Sequence, residues 1–234
     1  MPKISKRIKE QPQSCIRPTL IMTLTFIAFL LSMGEAMADK KDIVYIEAST
    51  ASRWKLGEFG KRVNDERFNI ETMTLYEFDK TPRVSKVLTE RSSKPNAIVM
   101  QECSVYFPGD MQDYKQKYHS WILQIKKSGV TPVIATTVPP AASQGLMEDA
   151  KDWVKVRLLG RESQYDQVIQ FNEWLRQLAK DESVVLFDLE KITRKNDSDR
   201  HMREEYSAGD GIHLNATAYS LLDNELLSLL KTLK

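Results

Sequence analysis

The sequence predicts an α/β fold, a parallel sheet of five strands covered by helices on both faces. Three observations predict it. Short apolar runs alternate with longer helical patterns from Asp39 onward, as in a βα repeat with right-handed crossovers. The runs Ile43-Val44-Tyr45-Ile46 and Ala97-Ile98-Val99-Met100 are continuously apolar, as strands buried on both faces are. Tyr114, Tyr118, Trp121, Ile122 and Ile125 share the helical spacing i, i+4, i+7, i+8, i+11, one face of an amphipathic helix.

Taken in order, Asp42 to Glu47 reads as the first strand and Arg53 to Asn64, with Trp54, Phe59 and Val63 among charges, as a helix. Phe68 to Tyr76 alternates as a strand does, and Arg83 to Arg91 is a short helix. Pro95 introduces the third strand at Ala97. The amphipathic helix follows and ends at Gly129, a C-cap residue. Thr131 to Thr137 is a fourth strand, stopped by Pro139-Pro140. A long helical region then has one part about Trp153 and Val156 and a second from about Tyr165 to Lys180. Val184 to Phe187 is the fifth strand, and Asn215 caps a final helix ending near Leu233. Thr193 to Gly209 is polar and reads as a loop.

The first 38 residues stand apart. Lys3, Lys6, Arg7, Lys9 and Arg17 form a basic leader, Thr19 to Met33 is an uncharged apolar run of 15 residues, and Ala36-Met37-Ala38 gives a small-x-small cleavage signal. This is the layout of a secretory signal peptide, with an uncleaved N-terminal anchor as the alternative. The run is shorter than the ~20 residues of a spanning helix. Either form exports the remainder, to the periplasm or outside the cell, free or held at the inner membrane by this segment. Cleavage after Ala38 leaves 196 residues, one domain by length.

Cleavage would remove five basic and two acidic residues and take the formal charge from +2 to −1. With no basic patch interleaved with aromatics, nucleic acid is not an expected partner. Cys15 lies in the leader, so Cys103 is alone in the mature chain and no intrachain disulfide can form. A cysteine ending an apolar strand reads as a small buried hydrophobe.

Two segments carry chemistry. Ser49 ends Ile46-Glu47-Ala48-Ser49, just past the first strand. In parallel α/β sheets ligands bind beyond the carboxyl ends of the strands. A serine there, at the start of a helix, meets backbone N–H groups that favour developing negative charge. It needs a base to act as a nucleophile. The late segment Asp210-Gly211-Ile212-His213 supplies one: an Asp three residues ahead of a His can fix one imidazole tautomer and leave the other nitrogen facing the serine. His119 and His201 have no Asp at comparable spacing, and Ser52 falls inside the helix.

With these blocks in place the chain resembles the GDSL/SGNH hydrolases. The first family block is a strand followed by Gly-Asp-Ser, here Ile43-Val44-Tyr45-Ile46-Glu47-Ala48-Ser49, and the last is Asp-x-x-His before a final helix, here Asp210-Gly211-Ile212-His213-Leu214. Lys94 to Met100, Gly129 to Thr137 and Val168-Ile169-Gln170-Phe171-Asn172 are similar to the blocks between. The resemblance implies a three-layer α/β/α, flavodoxin-like fold over residues 39–234. It also implies Ser49 as nucleophile, His213 as base and Asp210 as its orienter, with no cofactor and no metal.

The chain also departs from the family pattern. Glu47 and Ala48 stand where the family has Gly and Asp. The glycine of its second block has no counterpart in Leu75 to Lys80, and the Asn of its third has none in Gln101-Glu102-Cys103-Ser104-Val105-Tyr106. Both family residues donate to the oxyanion. Gln101 and Ser104 are the candidate replacements. Glu47 and Glu102, at neighbouring strand ends, read as exposed acids lining a cleft or as a carboxyl pair. Asp79 could join them, but no zinc spacing is present.

The expected function is cleavage or transfer of an O-acyl ester, in the first instance acetyl, on a small molecule or polysaccharide. The alternative is a catalytically impaired member binding glycan or an envelope partner, with Tyr106, Phe107 and Trp54 as stacking surfaces or Trp54 as core. A cysteine hydrolase using Cys103 ranks third.

Overall fold

The computed structural model describes residues 40–233 apart from 78, 103–109, 144 and 161. The leader with Cys15, and Cys103, Ser104, Tyr106 and Phe107, lie outside the described residues. Among those described, no helix is long and apolar enough to cross a membrane.

Five strands, β1 (Lys41–Glu47), β2 (Phe68–Thr74), β3 (Ala97–Met100), β4 (Thr131–Ala135) and β5 (Val185–Phe187), pair in parallel in the order β2-β1-β3-β4-β5. The order reverses between β1 and β3. The chain moves outward from β1 to β2, then returns past β1 to β3. The loops leaving β1 and β3 therefore diverge and leave a crevice at their carboxyl ends, where ligands bind in such sheets.

The strands are apolar throughout because both faces are covered. Ile43, Tyr45, Ala97, Val99, Val133 and Phe187 point to one core. That face is covered by α1 (Thr50–Trp54), a 3₁₀ turn (Leu56–Glu58), α2 (Phe59–Arg62) and the C-terminal helix α8 (Ala216–Thr232), through Trp54, Leu56, Phe59, Leu222 and Leu226. Val44, Ile46, Ile98, Met100 and Ile134 point to the other core. There they meet α3 (Thr81–Thr89), α4 (Met111–Lys127) and α6 (Gln164–Asp181). The result is a three-layer α/β/α domain. The helix α5 (Leu146–Leu159) precedes α6, and the short α7 (Leu189–Thr193) follows β5.

One element differs from its sequence reading. The helix expected over Arg53 to Asn64 is broken into α1, the 3₁₀ turn and α2, with Lys55 in the left-handed region at φ 53°. Trp54 and Leu56 would point about 200° apart on a continuous α-helix, one into solvent. The break buries Trp54, Leu56 and Phe59 together. The loop expected over Thr193 to Gly209 also contains the end of α7 and a 3₁₀ turn at Glu204–Tyr206.

A buried carboxylate fixes the carboxyl end of β4 and β5. Glu190, fully buried, meets Arg200 at 2.5 and 2.8 Å, Arg176 at 2.9 Å and Arg194 at 3.2 Å. Asn172 donates to it at 2.9 Å, donates to the Thr137 carbonyl at 2.7 Å and accepts from the Thr137 N–H at 2.7 Å. Burial would raise the Glu190 pKa, but the Arg200 and Arg176 guanidinium groups outweigh it and hold the carboxyl below its ordinary value.

Because that folded pKa lies below the unfolded one, its stabilisation is full above the ordinary glutamate range near ~4.3 and is lost as the pH falls through the folded value. Glu190→Gln should therefore cost about 3 kcal/mol at neutral pH, since it strands buried guanidinium charge. Urea unfolding at pH 7 and at ~3 should show the parent–variant gap shrinking in acid. A gap of equal size at both would contradict this origin.

Candidate active site

Ser49 follows β1 as the N-cap residue just before α1, and its side chain makes no capping bond to that helix. It is partly exposed, at the top of the sheet. Ser52, inside α1, donates to the Ser49 carbonyl at 2.7 Å and is occupied there. With five residues α1 carries little dipole, so the field expected of a long helix at Ser49 is small.

Asp210 and His213 form the hydrogen-bonded pair that their spacing predicts. His213 Nδ1 lies 2.7 Å from Asp210 Oδ2. The backbone N–H groups of His213 and Ile212 donate to Asp210 Oδ1 at 2.8 and 3.1 Å. Gly209 (φ 93°) and Gly211 (φ 73°) adopt left-handed backbone conformations on either side of Asp210, which allows this tight turn. Burial would raise the Asp210 pKa, but the backbone N–H and imidazole of His213 and the N–H of Ile212 hold it far below the usual carboxylate range. The carboxylate thus stays ionised, accepts the Nδ1 proton and leaves Nε2 as the basic nitrogen.

Contacts from Arg53, Tyr219 and Asp223 bring the two segments to one place. Arg53 of α1 donates from Nη1 to Asp210 Oδ2 at 3.2 Å. Tyr219 of α8 donates to the Thr50 carbonyl at 3.2 Å, and its ring stacks on Trp54 with centroids 6.0 Å apart. Trp54 Nε1 donates to Asp223 Oδ1 at 2.8 Å, while Arg62 makes two 2.8 Å bonds to the same carboxylate. The turn carrying Ser49 is therefore docked on the helix that follows His213.

The other acids and the amide singled out from sequence are placed differently from their reading. Glu47 is fully buried and accepts from Thr74 Oγ1 at 2.6 Å. Glu102 is sealed on the opposite face of the sheet, 2.7 Å from the equally buried Lys80 Nζ. Burial raises the Glu102 pKa, against the pull of Lys80 and Tyr114. Neither acid is exposed in a cleft. Glu102 pairs with a lysine rather than with Glu47, because strand alternation sends residues 47 and 102 to opposite faces. Gln101 is also buried. Its Oε1 accepts from the Tyr45 hydroxyl at 2.9 Å, and its shielded Nε2 has no hydrogen-bond partner. In that position Gln101 offers a substrate no donor. Asp79 is exposed and accepts from the Thr81 N–H at 2.9 Å at the start of α3. Among the described residues no three metal-binding side chains converge.

Sequence reasoning missed several residues. His201 has its own carboxylate, with Nδ1 2.7 Å from Asp199 Oδ1, and stacks on Tyr165 at 4.0 Å. The Asp199-x-His201 spacing was the signal for that pair. His119 pairs with Glu182 at 2.9 Å. Arg53, one helical turn beyond Ser49, was visible as a position but not as a partner of Asp210. Lys80 had no sequence signal of burial. Trp54 is a core residue, fully packed between Tyr219 and Phe187.

Comparison with known proteins extends the fold only. Neither a protein-family model nor a curated protein sequence matches the chain. Solved structures do. A GDSL-like lipase from Bacteroides thetaiotaomicron is 13% identical, with a TM-score of 0.60 over 87% of this chain and 96% of that one. The acetyl xylan esterase AlAXEase is 16% identical, with a TM-score of 0.56 over 80% and 98%. An acetylxylan esterase from Geobacillus stearothermophilus, solved as a catalytic mutant, is 10% identical, with a TM-score of 0.57 over 83% and 95%.

The buried Lys80–Glu102 pair has a measurable consequence. Lys80→Met alone leaves an unpaired buried carboxyl and should cost about 3–5 kcal/mol, whereas the double change with Glu102→Leu should recover most of it. Chemical denaturation reads both. A Lys80→Met variant as stable as the parent would show that the pair does not hold these loops.

Proposed function

We propose that this chain, which shares the SGNH-hydrolase fold of those lipases and esterases, is an exported serine hydrolase that cleaves or transfers an O-acyl ester. The observation that carries the proposal is the Asp210–His213 bond of 2.7 Å in a loop docked beside the turn that carries Ser49. In this reading His213 Nε2 takes the Ser49 hydroxyl proton as Oγ attacks the ester carbonyl. The tetrahedral intermediate collapses, the acyl–oxygen bond breaks, and His213 returns the proton to the departing alcohol. Water, or an acceptor hydroxyl, then attacks acyl-Ser49 with the same base, and Ser49 is regenerated. Asp210 stays ionised throughout and stabilises the imidazolium.

The substrate class follows by analogy of fold. Two of the structural neighbours are acetylxylan esterases, and the leader read from residues 1–38 would place the domain outside the cytoplasm. An acetylated carbohydrate of the cell exterior is the substrate that suits both. No metal or cofactor enters the mechanism. The sealing of Gln101 leaves backbone N–H groups, with Ser104 as the side-chain candidate, to stabilise the oxyanion. Loss of one such donor costs about 10²–10³ in rate, so turnover should be slow.

A second reading rests on that same sealing: a fold with an intact Asp–His pair but no side-chain oxyanion donor among the described residues would bind acylated glycan without cleaving it. Turnover of p-nitrophenyl acetate separates the two. Ser49→Ala should lower kcat/KM by at least about 10³, and Asp210→Asn by about 10³–10⁴. Equal rates in parent and Ser49→Ala would favour the binding role.

A further inference from the structure

Among the described residues, Asp210 accepts three hydrogen bonds from its own loop: the N–H groups of Ile212 and His213 on Oδ1, and His213 Nδ1 on Oδ2. They orient the imidazole relative to Asp210 but not relative to the serine. Another comes from the helix that follows Ser49. Arg53 Nη1 reaches Asp210 Oδ2 at 3.2 Å from α1, the helix that Ser49 immediately precedes. It joins the serine turn directly to the loop of the base, beside the Tyr219 bond to the Thr50 carbonyl.

We infer that Arg53 is a positioning residue, a strut that sets the distance between the Ser49 turn and the Asp210–His213 loop. The inference rests on the serine-hydrolase reading of the site. Several features suit the role. Arg53 lies at i+4 from Ser49, so a rotation or shift of the serine turn carries it along. It shares Oδ2 with the imidazole, so it acts on the carboxylate atom that orients His213. The planar guanidinium fixes direction as well as charge, which a lysine ammonium does not. The pair is solvent-accessible, with side chains 50% and 41% exposed. Its strength is therefore modest and falls with salt. Proton transfer from Ser49 depends steeply on the approach of two groups, so a weak strut placed there is felt in kcat while the fold hardly senses it.

The charged and titratable groups around the strut are Asp210 and His213 in the loop, Tyr219 on α8 and Glu47 on β1. The Tyr219 hydroxyl is pushed up to about 12 by burial, with Arg53 opposing and Glu47 and Asp210 adding to the rise.

The test compares parent, Arg53→Gln and Arg53→Lys in the full domain with a soluble acetyl ester. Arg53→Gln should lower kcat about fivefold with KM nearly unchanged and the thermal midpoint unaltered, as expected for an exposed ion pair. Arg53→Lys should recover part of the loss. Raising ionic strength should lower kcat of the parent toward that of Arg53→Gln and leave the variant flat, a response that simple packing would not give. Hydrogen exchange followed by mass spectrometry gives a readout free of turnover: amides of residues 207–215 should exchange faster in Arg53→Gln and the rest of the domain should not change. Unchanged exchange there, or parent-like kcat in Arg53→Gln, overturns the strut. Turnover that survives Ser49→Ala instead removes the serine-hydrolase reading, and the exchange result still decides whether Arg53 couples the two segments.

Discussion

The Asp223 carboxylate is the contact on which the arrangement depends. It accepts from Trp54 Nε1 and from two nitrogens of Arg62, all at 2.8 Å. Trp54 closes α1 and Arg62 closes α2, while Asp223 lies midway along α8. One charged group therefore pins the first two helical pieces to the last helix, across most of the chain. The Trp54 ring, stacked between Tyr219 and Phe187, adds a large buried apolar surface to a charge-assisted bond. Loss of the joint would leave the Ser49 turn and the His213 loop held together by the weaker, partly exposed contacts of Arg53 and Tyr219.

What the joint delivers is set by sheet topology. Parallel strands in the order β2-β1-β3-β4-β5 open a crevice between the ends of β1 and β3. The polar groups at those ends are used inward. Glu47 ties β1 to Thr74, Gln101 holds Tyr45, and Glu102 neutralises Lys80 between α3 and α4. Each is a buried polar group with a partner that offsets part of its cost, although the Gln101 Nε2 has none. Strand-end chemistry has gone into holding the loops, while Ser49, His213, Asp210 and Arg53 remain accessible at the surface.

How much of this was legible in the sequence differs by residue. The strands were readable because apolar runs covered on both faces leave a continuous signal, and the edges of β1, β3 and β5 came within a residue or so of their reading. Asp210 and His213 were readable because their contact is local, three residues apart on a glycine turn. The helix break at Lys55 was not, since it serves a tertiary need: burying Trp54, Leu56 and Phe59 at once. The roles of Glu47, Gln101 and Glu102 were misread because a residue just past a strand can point up to solvent or sideways into a core, and only partners far along the chain decide. Lys80 and Arg53 belong to the same class, as each is defined by a carboxylate that lies distant in sequence.

The most direct measurement of the central claim is the mapping of a fluorophosphonate adduct by peptide mass spectrometry, on the parent and on His213→Gln. An activated serine predicts one adduct per chain, on Ser49, formed much more slowly when the imidazole is gone. A parent that takes no label, or takes it on another residue at a rate indifferent to His213, would contradict the account.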